Sequence, residues 1–208
     1  MKVLLFNGSP NQTGCTFTAL QEISTVLNRC GIETQILQIG CKPYTGCSAC
    51  GGCRSYDGCV FGDDDGLNDI LLQCEDADGF VFGSPVYYAS PNGTMLSFMD
   101  RLFYAGSKHL RHKPAAAIVS ARRAGTSAAL DALNKYFAIN QMPVASSTYW
   151  NMVHGSCAED VAKDLEGLQT IRNLAANLVW LLRCIEVGRQ AGIEPPTAER
   201  GNRTNFIR

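Results

Sequence analysis

Apolar residues in this chain fall into short runs that alternate with stretches of helical spacing. The runs at 2 to 6, 32 to 39, 79 to 83, 115 to 120 and 143 to 148 read as strands. Between them, apolar positions recur at threes and fours: Leu20, Ile23 and Leu27; Leu67, Ile70, Leu71 and Cys74; Met95, Leu96, Met99 and Leu102; Leu130, Leu133 and Phe137. A longer last helix is expected from Val161 through Leu165, Leu168, Ile171, Leu174, Leu178 and Leu182 to Ile185, ending at the stretch Gly188 to Gly192. Five strands, each followed by a helix, predict an α/β protein with a doubly wound five-stranded parallel sheet in three layers, α/β/α. Such sheets bind ligands beyond the carboxyl ends of their strands, so function is to be sought in the loops that follow each strand.

Composition changes the picture only in places. With 208 residues, 46% of them apolar, the chain is long enough to enclose a core, and one domain is expected over residues 1–191. A glycine-rich, cysteine-rich insert occupies 41–62, and residues 192–208, with Pro195 and Pro196, read as an extended tail. A net charge of -1 gives no basic stripe, so neither nucleic acid nor an anionic membrane surface is an expected partner. Only four consecutive apolar residues follow Lys2, and no run approaches a spanning length, so a cytoplasmic location is expected. Ten cysteines would fit a disulfide scaffold only in a short secreted chain with a poor core, which leaves reduced thiols or metal ligands.

The loop after the first strand, Gly8 to Thr16, is built of small and hydroxyl residues and runs into a helix. Backbone N–H groups and the positive end of the helix dipole make that junction an anion site, to which Ser9, Thr13 and Thr16 can add hydroxyls. It carries no Walker lysine and no G-x-G-x-x-G spacing, so a single terminal phosphate fits better than a triphosphate or a dinucleotide. The alternative is a plain strand-to-helix turn with an N-cap. After the third strand, Pro85 and Pro91 stiffen a loop in which Tyr87 and Tyr88 offer flat surfaces to a ring system; the alternative is packing on a core edge. The loop after the fourth, Ser120 to Thr126, contains Arg122 and Arg123, which read either as support for a negative charge or as a solvated pair. His154, after the fifth run, is read as structural.

Four cysteines crowd into Cys47-x2-Cys50-x2-Cys53-x5-Cys59. Three thiolates at three-residue spacing can wrap one face of a cubane, and Cys59 on a short return can close it, with Cys41 in reserve. Zinc, and free or redox-active thiols, stay open as alternatives.

These motifs resemble those of the NADPH-dependent FMN reductase and iron-sulfur flavoprotein superfamily, whose fold is flavodoxin-like. The likeness is carried by the first loop, by S-P-V-Y-Y before a helix containing Asp100-Arg101, by the R-R-x-G loop, by C-x2-C-x2-C-x5-C followed by Asp63-Asp64, and by the terminal Thr204-Asn205-Phe206-Ile207-Arg208. It implies that Ser9, Asn11, Gly14, Cys15 and Thr16 surround an FMN phosphate, with Cys15 standing where that family often has asparagine. It implies that Pro85, Val86, Tyr87 and Tyr88 line the isoalloxazine, with Ser120, Arg123 and Gly125 nearby, and that a [4Fe-4S] cluster sits on Cys47, Cys50, Cys53 and Cys59. The expected activity is oxidoreduction, with NAD(P)H or ferredoxin as donor and a quinone-like small molecule or a protein as acceptor. A non-catalytic electron carrier and a thiol-based sensor are the competing readings. The long last helix and the tail point to a homodimer or homotetramer.

Overall fold

The computed structural model describes residues 1–206; Ile207 and Arg208, the end of the expected tail, lie outside the described residues. Strands β1 (Lys2–Asn7), β2 (Glu33–Gln38), β3 (Gly79–Tyr87), β5 (Ala115–Ala121) and β6 (Met152–His154) form a parallel sheet in the order β2-β1-β3-β5-β6. Counting the parallel strands alone, this is the 2-1-3-4-5 order of flavodoxin-like sheets, whose direction of winding reverses between the first and third strands. The two-residue β4 (Ser90–Pro91) folds back antiparallel on the end of β3. Seven helices follow in chain order: α1 (Cys15–Arg29), α2 (Gly62–Asp65), α3 (Leu67–Asp76), α4 (Gly93–Leu110), α5 (Thr126–Ile139), α6 (Ala158–Val161) and α7 (Leu165–Gln190).

Alternation along the strands sorts the core into two halves. Leu4, Phe6, Phe80, Phe82, Ala117 and Val119 face α3, α4 and α5; Val3, Leu5, Val81, Ala116, Ile118 and Val153 face α1, α6 and α7. On the first side Phe6 and Phe82 stack at 4.6 Å between centroids, and Phe82 continues to Phe137 at 5.2 Å. Burial of such rings, about 1.5–3 kcal/mol each, fixes the sheet on which the loops are mounted.

Two expected elements differ in the structure. The run at 143 to 148 meets the sheet only at Val144, in a bridge to Ala115, and the fifth parallel strand forms later, at Met152–His154. Its middle is drawn off by side chains: Ser147 donates to Thr170 O, Asn177 donates to Ser146 O and Asn173 donates to Thr148 Oγ1, all toward α7. The Asn151 side-chain amide, donating to Ala117 O, then replaces a missing backbone rung. The last helix is likewise broken after Val161, because Asp164 caps α7 by accepting from Gly167 N and also accepts from His154 N. That contact accounts for His154: its ring lies 3.8 Å from the same carboxylate and does not line the cleft described below.

Among the described residues no helix is long and apolar enough to cross a membrane.

Candidate flavin cleft and thiol cavity

The loops after β1, β3, β5 and β6 converge at the carboxyl edge of the sheet around a cleft of about 570 Å³. Its floor is the start of α1. Gly14 occupies the N-cap in extended backbone with no side-chain cap, and the first helical bond runs from Thr18 N to Gly14 O. The amides of the first turn are therefore left for a ligand, with the positive helix end behind them. Gly14 is also required sterically, since a Cβ there would lie 2.9 Å from Asn11 Cβ.

The loop is held from behind by polar side chains. Asn7, fully buried at the end of β1, accepts from Ser9 N and donates to Gln38 Oε1, and Gln38 donates in turn to Ser9 O. Asn92, also buried, donates to Gly8 O and caps α4 by accepting from Met95 N. Gly40 passes so close that a Cβ would stand 2.2 Å from the carbonyl carbon of Ser9. None of these four was named from the sequence, and a buried asparagine closing an apolar strand was the signal to follow.

Of the residues expected at the flavin, the structure brings Ser9, Asn11, Gly14, Cys15, Thr16, Pro85, Val86, Tyr87 and Ser120 to the cleft lining. Thr16 Oγ1 and Ser120 Oγ share a hydrogen bond of 2.8 Å across its base. Tyr88 is not in the lining: it and Ala89 have φ of 51° and 58°, the two left-handed positions of a type I′ turn between β3 and β4, which projects Tyr88 into solvent. Non-glycine residues seldom hold that conformation, and Gly125 supports it from below, where a Cβ would lie 2.8 Å from Ala89 Cα. Arg123 and Gly125 are also outside the lining; Arg122 is the arginine at the rim. The segment Gly155 to Glu159, given no site role by the sequence, completes the wall.

The two thiols of the cleft are held in their protonated form. Burial raises the Cys15 thiol above its ordinary range, and Cys157, Asp160 and Glu159 push the same way; its Sγ lies 3.5 Å from Gly155 O. The carboxylate of Glu159 holds the Cys157 thiol up, and its own pKa falls in exchange. Protonated thiols are poor nucleophiles, so neither cysteine is activated by its surroundings here.

A second cavity, of about 200 Å³, lies inside the insert and is lined by Cys47, Cys50, Cys53 and Cys59 together with Arg54, Arg101 and Tyr104. Cys41 stands elsewhere: its thiol donates to Pro10 O behind the phosphate loop. The insert folds with little regular structure beyond one 3-10 turn, Gly52–Arg54. Asn68 of α3 pins its far end, accepting from Cys59 N and donating to Cys59 O and Asp63 Oδ1. The Arg101 guanidinium, only 2% exposed, donates through Nε to Cys59 Sγ at 3.3 Å and pairs with Asp65.

A parallel sheet in flavodoxin-like order, with an uncapped helix end at its switch point, gives a place for a phosphate-bearing ligand, and the sequence decides which. The profile describing NADPH-dependent FMN reductases matches residues 1–156. This chain belongs to that family. It is accordingly an FMN-dependent oxidoreductase. An iron-sulfur flavoprotein of Methanocaldococcus jannaschii is 29% identical over 195 residues, covering 89% of this chain and all of the relative. Among solved structures, RosB with bound 8-demethyl-8-formylriboflavin-5'-phosphate aligns over 100% of this chain and 92% of its own, with a TM-score of 0.69 at 16% identity. A flavodoxin from the domain Archaea aligns over 88% and 99% with a TM-score of 0.60 at 15% identity. Likeness at such identities speaks for the fold alone.

Proposed function

We propose that this FMN-dependent oxidoreductase takes electrons from NAD(P)H or ferredoxin into FMN held in the cleft and passes them through a [4Fe-4S] cluster on Cys47, Cys50, Cys53 and Cys59 to a quinone-like or protein acceptor. One observation carries the reading: an uncapped helix terminus and a four-thiol cavity occur in one chain, joined by α4. When bound, FMN supplies hydride acceptance and single-electron release, and the cluster supplies single-electron transfer.

In this reading the amides at the start of α1, with Ser9 and Thr16, hold the phosphate. Pro85, Val86 and Tyr87 bound the ring from one side, and the turn at Tyr88 stands as a cover that a bound nicotinamide or acceptor would meet. Arg122, at the rim, is placed to steady negative charge on the reduced ring or on a nicotinamide phosphate. Gly125 and Ala89 keep the cover in register.

The thiol cavity fits a cluster by its donors. No carboxylate or imidazole lines it, which selects soft metals, and two arginines face the anionic charge that four thiolates would bring. Among the described residues no three His, Cys, Asp or Glu side chains are grouped closely enough to hold a metal ion as they stand, so the four thiols would have to close around the group they bind.

Self-association as a dimer or tetramer is assigned to α7, which exposes Leu165, Trp180 and Val187. Anaerobic purification followed by a visible spectrum with flavin and iron assays tests the proposal. One FMN and four irons per chain, with prompt oxidation of NADH or NADPH, is the expected result. Cofactor content without that turnover would favour the carrier, and flavin without iron, with reversible thiol oxidation, would favour the sensor.

A further inference from the structure

Arg101 stands out among the charged residues of this chain. It is buried at 2% exposure, and its partners are the Asp65 carboxylate and the sulfur of Cys59. A guanidinium costs several kcal/mol to bury unless its N–H groups are satisfied, so the arrangement is specified. It is also aimed: α4 turns Arg101, Tyr104 and Ala105, spaced three and four apart, toward the thiol cavity. Nothing about the flavin cleft requires this cation, since it is absent from that lining.

We infer that Arg101, with Asp65 as its counter-charge, is a positioning residue that fixes Cys59 and sets the one-electron potential of an iron-sulfur cluster in this cavity. The inference rests on the cluster reading above. Reduction adds one electron to the metal-thiolate group, breaks no bond and moves no proton, so the group becomes more negative by one charge. An N–H donated to a ligand sulfur draws electron density from it, and a nearby positive charge stabilises the added electron; both raise the potential. Asp65 opposes the second effect. Arg101 together with Asp65 is close to neutral at a distance, and removal of either leaves one uncompensated charge beside the sulfur.

The two partners therefore predict shifts of opposite sign, which loosened packing would not produce. Arg101→Gln removes the cation, strands the Asp65 carboxylate and lowers the cluster potential; Asp65→Asn leaves the cation unopposed and raises it. A shift of tenfold in the equilibrium constant, about 59 mV for one electron, is expected in each direction. The experiment is a dithionite titration of the holoprotein monitored by EPR and visible absorption, with iron counted in every sample and the FMN potential read alongside as an internal reference that stays in place.

Arg101→Lys, which keeps the charge and a donor, should return most of the wild-type value and is the variant to read if Arg101→Gln loads poorly. Opposite shifts at full iron content support the inference. Unchanged potentials, or shifts of the same sign, overturn it while leaving the cluster reading intact. Loss of iron from both arginine variants with flavin retained overturns the setting of the potential and leaves Arg101 only as the strut that fixes Cys59. A wild-type protein that holds flavin but no iron after anaerobic reconstitution defeats the cluster reading itself, and the inference with it.

Discussion

Gly40→Ala tests whether the phosphate loop is pressed into shape from behind. A Cβ at residue 40 would lie 2.2 Å from the Ser9 carbonyl carbon and 2.3 Å from Gly8 O, where ordinary contact begins at 3.4 Å. Backbone on both sides has to separate by more than about 1 Å, because neither surface is the end of a flexible side chain. Overpacking of this kind costs about 1–3 kcal/mol. The apo protein can relieve most of it by moving the loop, which is free of ligand, so the cost reappears when FMN draws the amides back. At 1.4 kcal/mol per factor of ten, affinity should fall by roughly five- to a hundredfold. Quenching of FMN fluorescence during titration of the apoprotein reads the affinity, and a thermal melt of the apoprotein reads the fold. Gly93→Ala, where nothing lies within 4 Å, is the matched control and should bind FMN like the wild type. An affinity for Gly40→Ala within twofold of wild type would refute the idea that this contact shapes the site.

Asn7→Leu leaves Ser9 N and Gln38 without their partner in a buried setting and should cost about 1–3 kcal/mol in denaturant-measured stability while also weakening FMN binding. Asn68→Ala frees Cys59 and should lower iron uptake on anaerobic reconstitution without changing flavin content; equal iron in both proteins would count against the clamp. Burial pushes the Cys74 thiol from 9.0 up to about 12, so between those values the folded state keeps a proton that the unfolded chain gives up. Stability should therefore decline as pH rises above about 9, and Cys74→Ala should flatten that decline in a series of melts.

How far the sequence reaches depends on which physics carries the feature. Strand and helix identity came from periodicity, and β1, α1, α3, α4 and α5 sit where the apolar spacing placed them, because both faces of the sheet are buried and leave few alternatives. The fifth strand was misplaced because Ser146, Ser147 and Thr148 read as a continuation, while their partners lie on α7, some 25 residues away. In the cleft, the loops after the first and third strands were legible as far as Tyr87, whereas Tyr88, Arg123 and Gly125 fall outside the lining and the wall from Gly155 to Glu159 carried no signal. The second tier, Asn7, Gln38, Gly40 and Asn92, was not legible, since its members act on loop backbone across the sheet and carry no local motif. Arg122 and Arg123 are adjacent and chemically alike, and local sequence does not distinguish the one that lines the cleft, Arg122, from the one that does not.

Asn92 gives α4 a second meaning. Its side chain ties the start of that helix to Gly8, and nine residues later the same helix delivers Arg101 to the thiol cavity. At 1.5 Å per residue this makes a rigid spacer of about 14 Å between the two anchor points. If the proposed function holds, this helix sets part of the reach an electron would cover, because the insert that carries the thiols is tied to it where Arg101 meets Cys59.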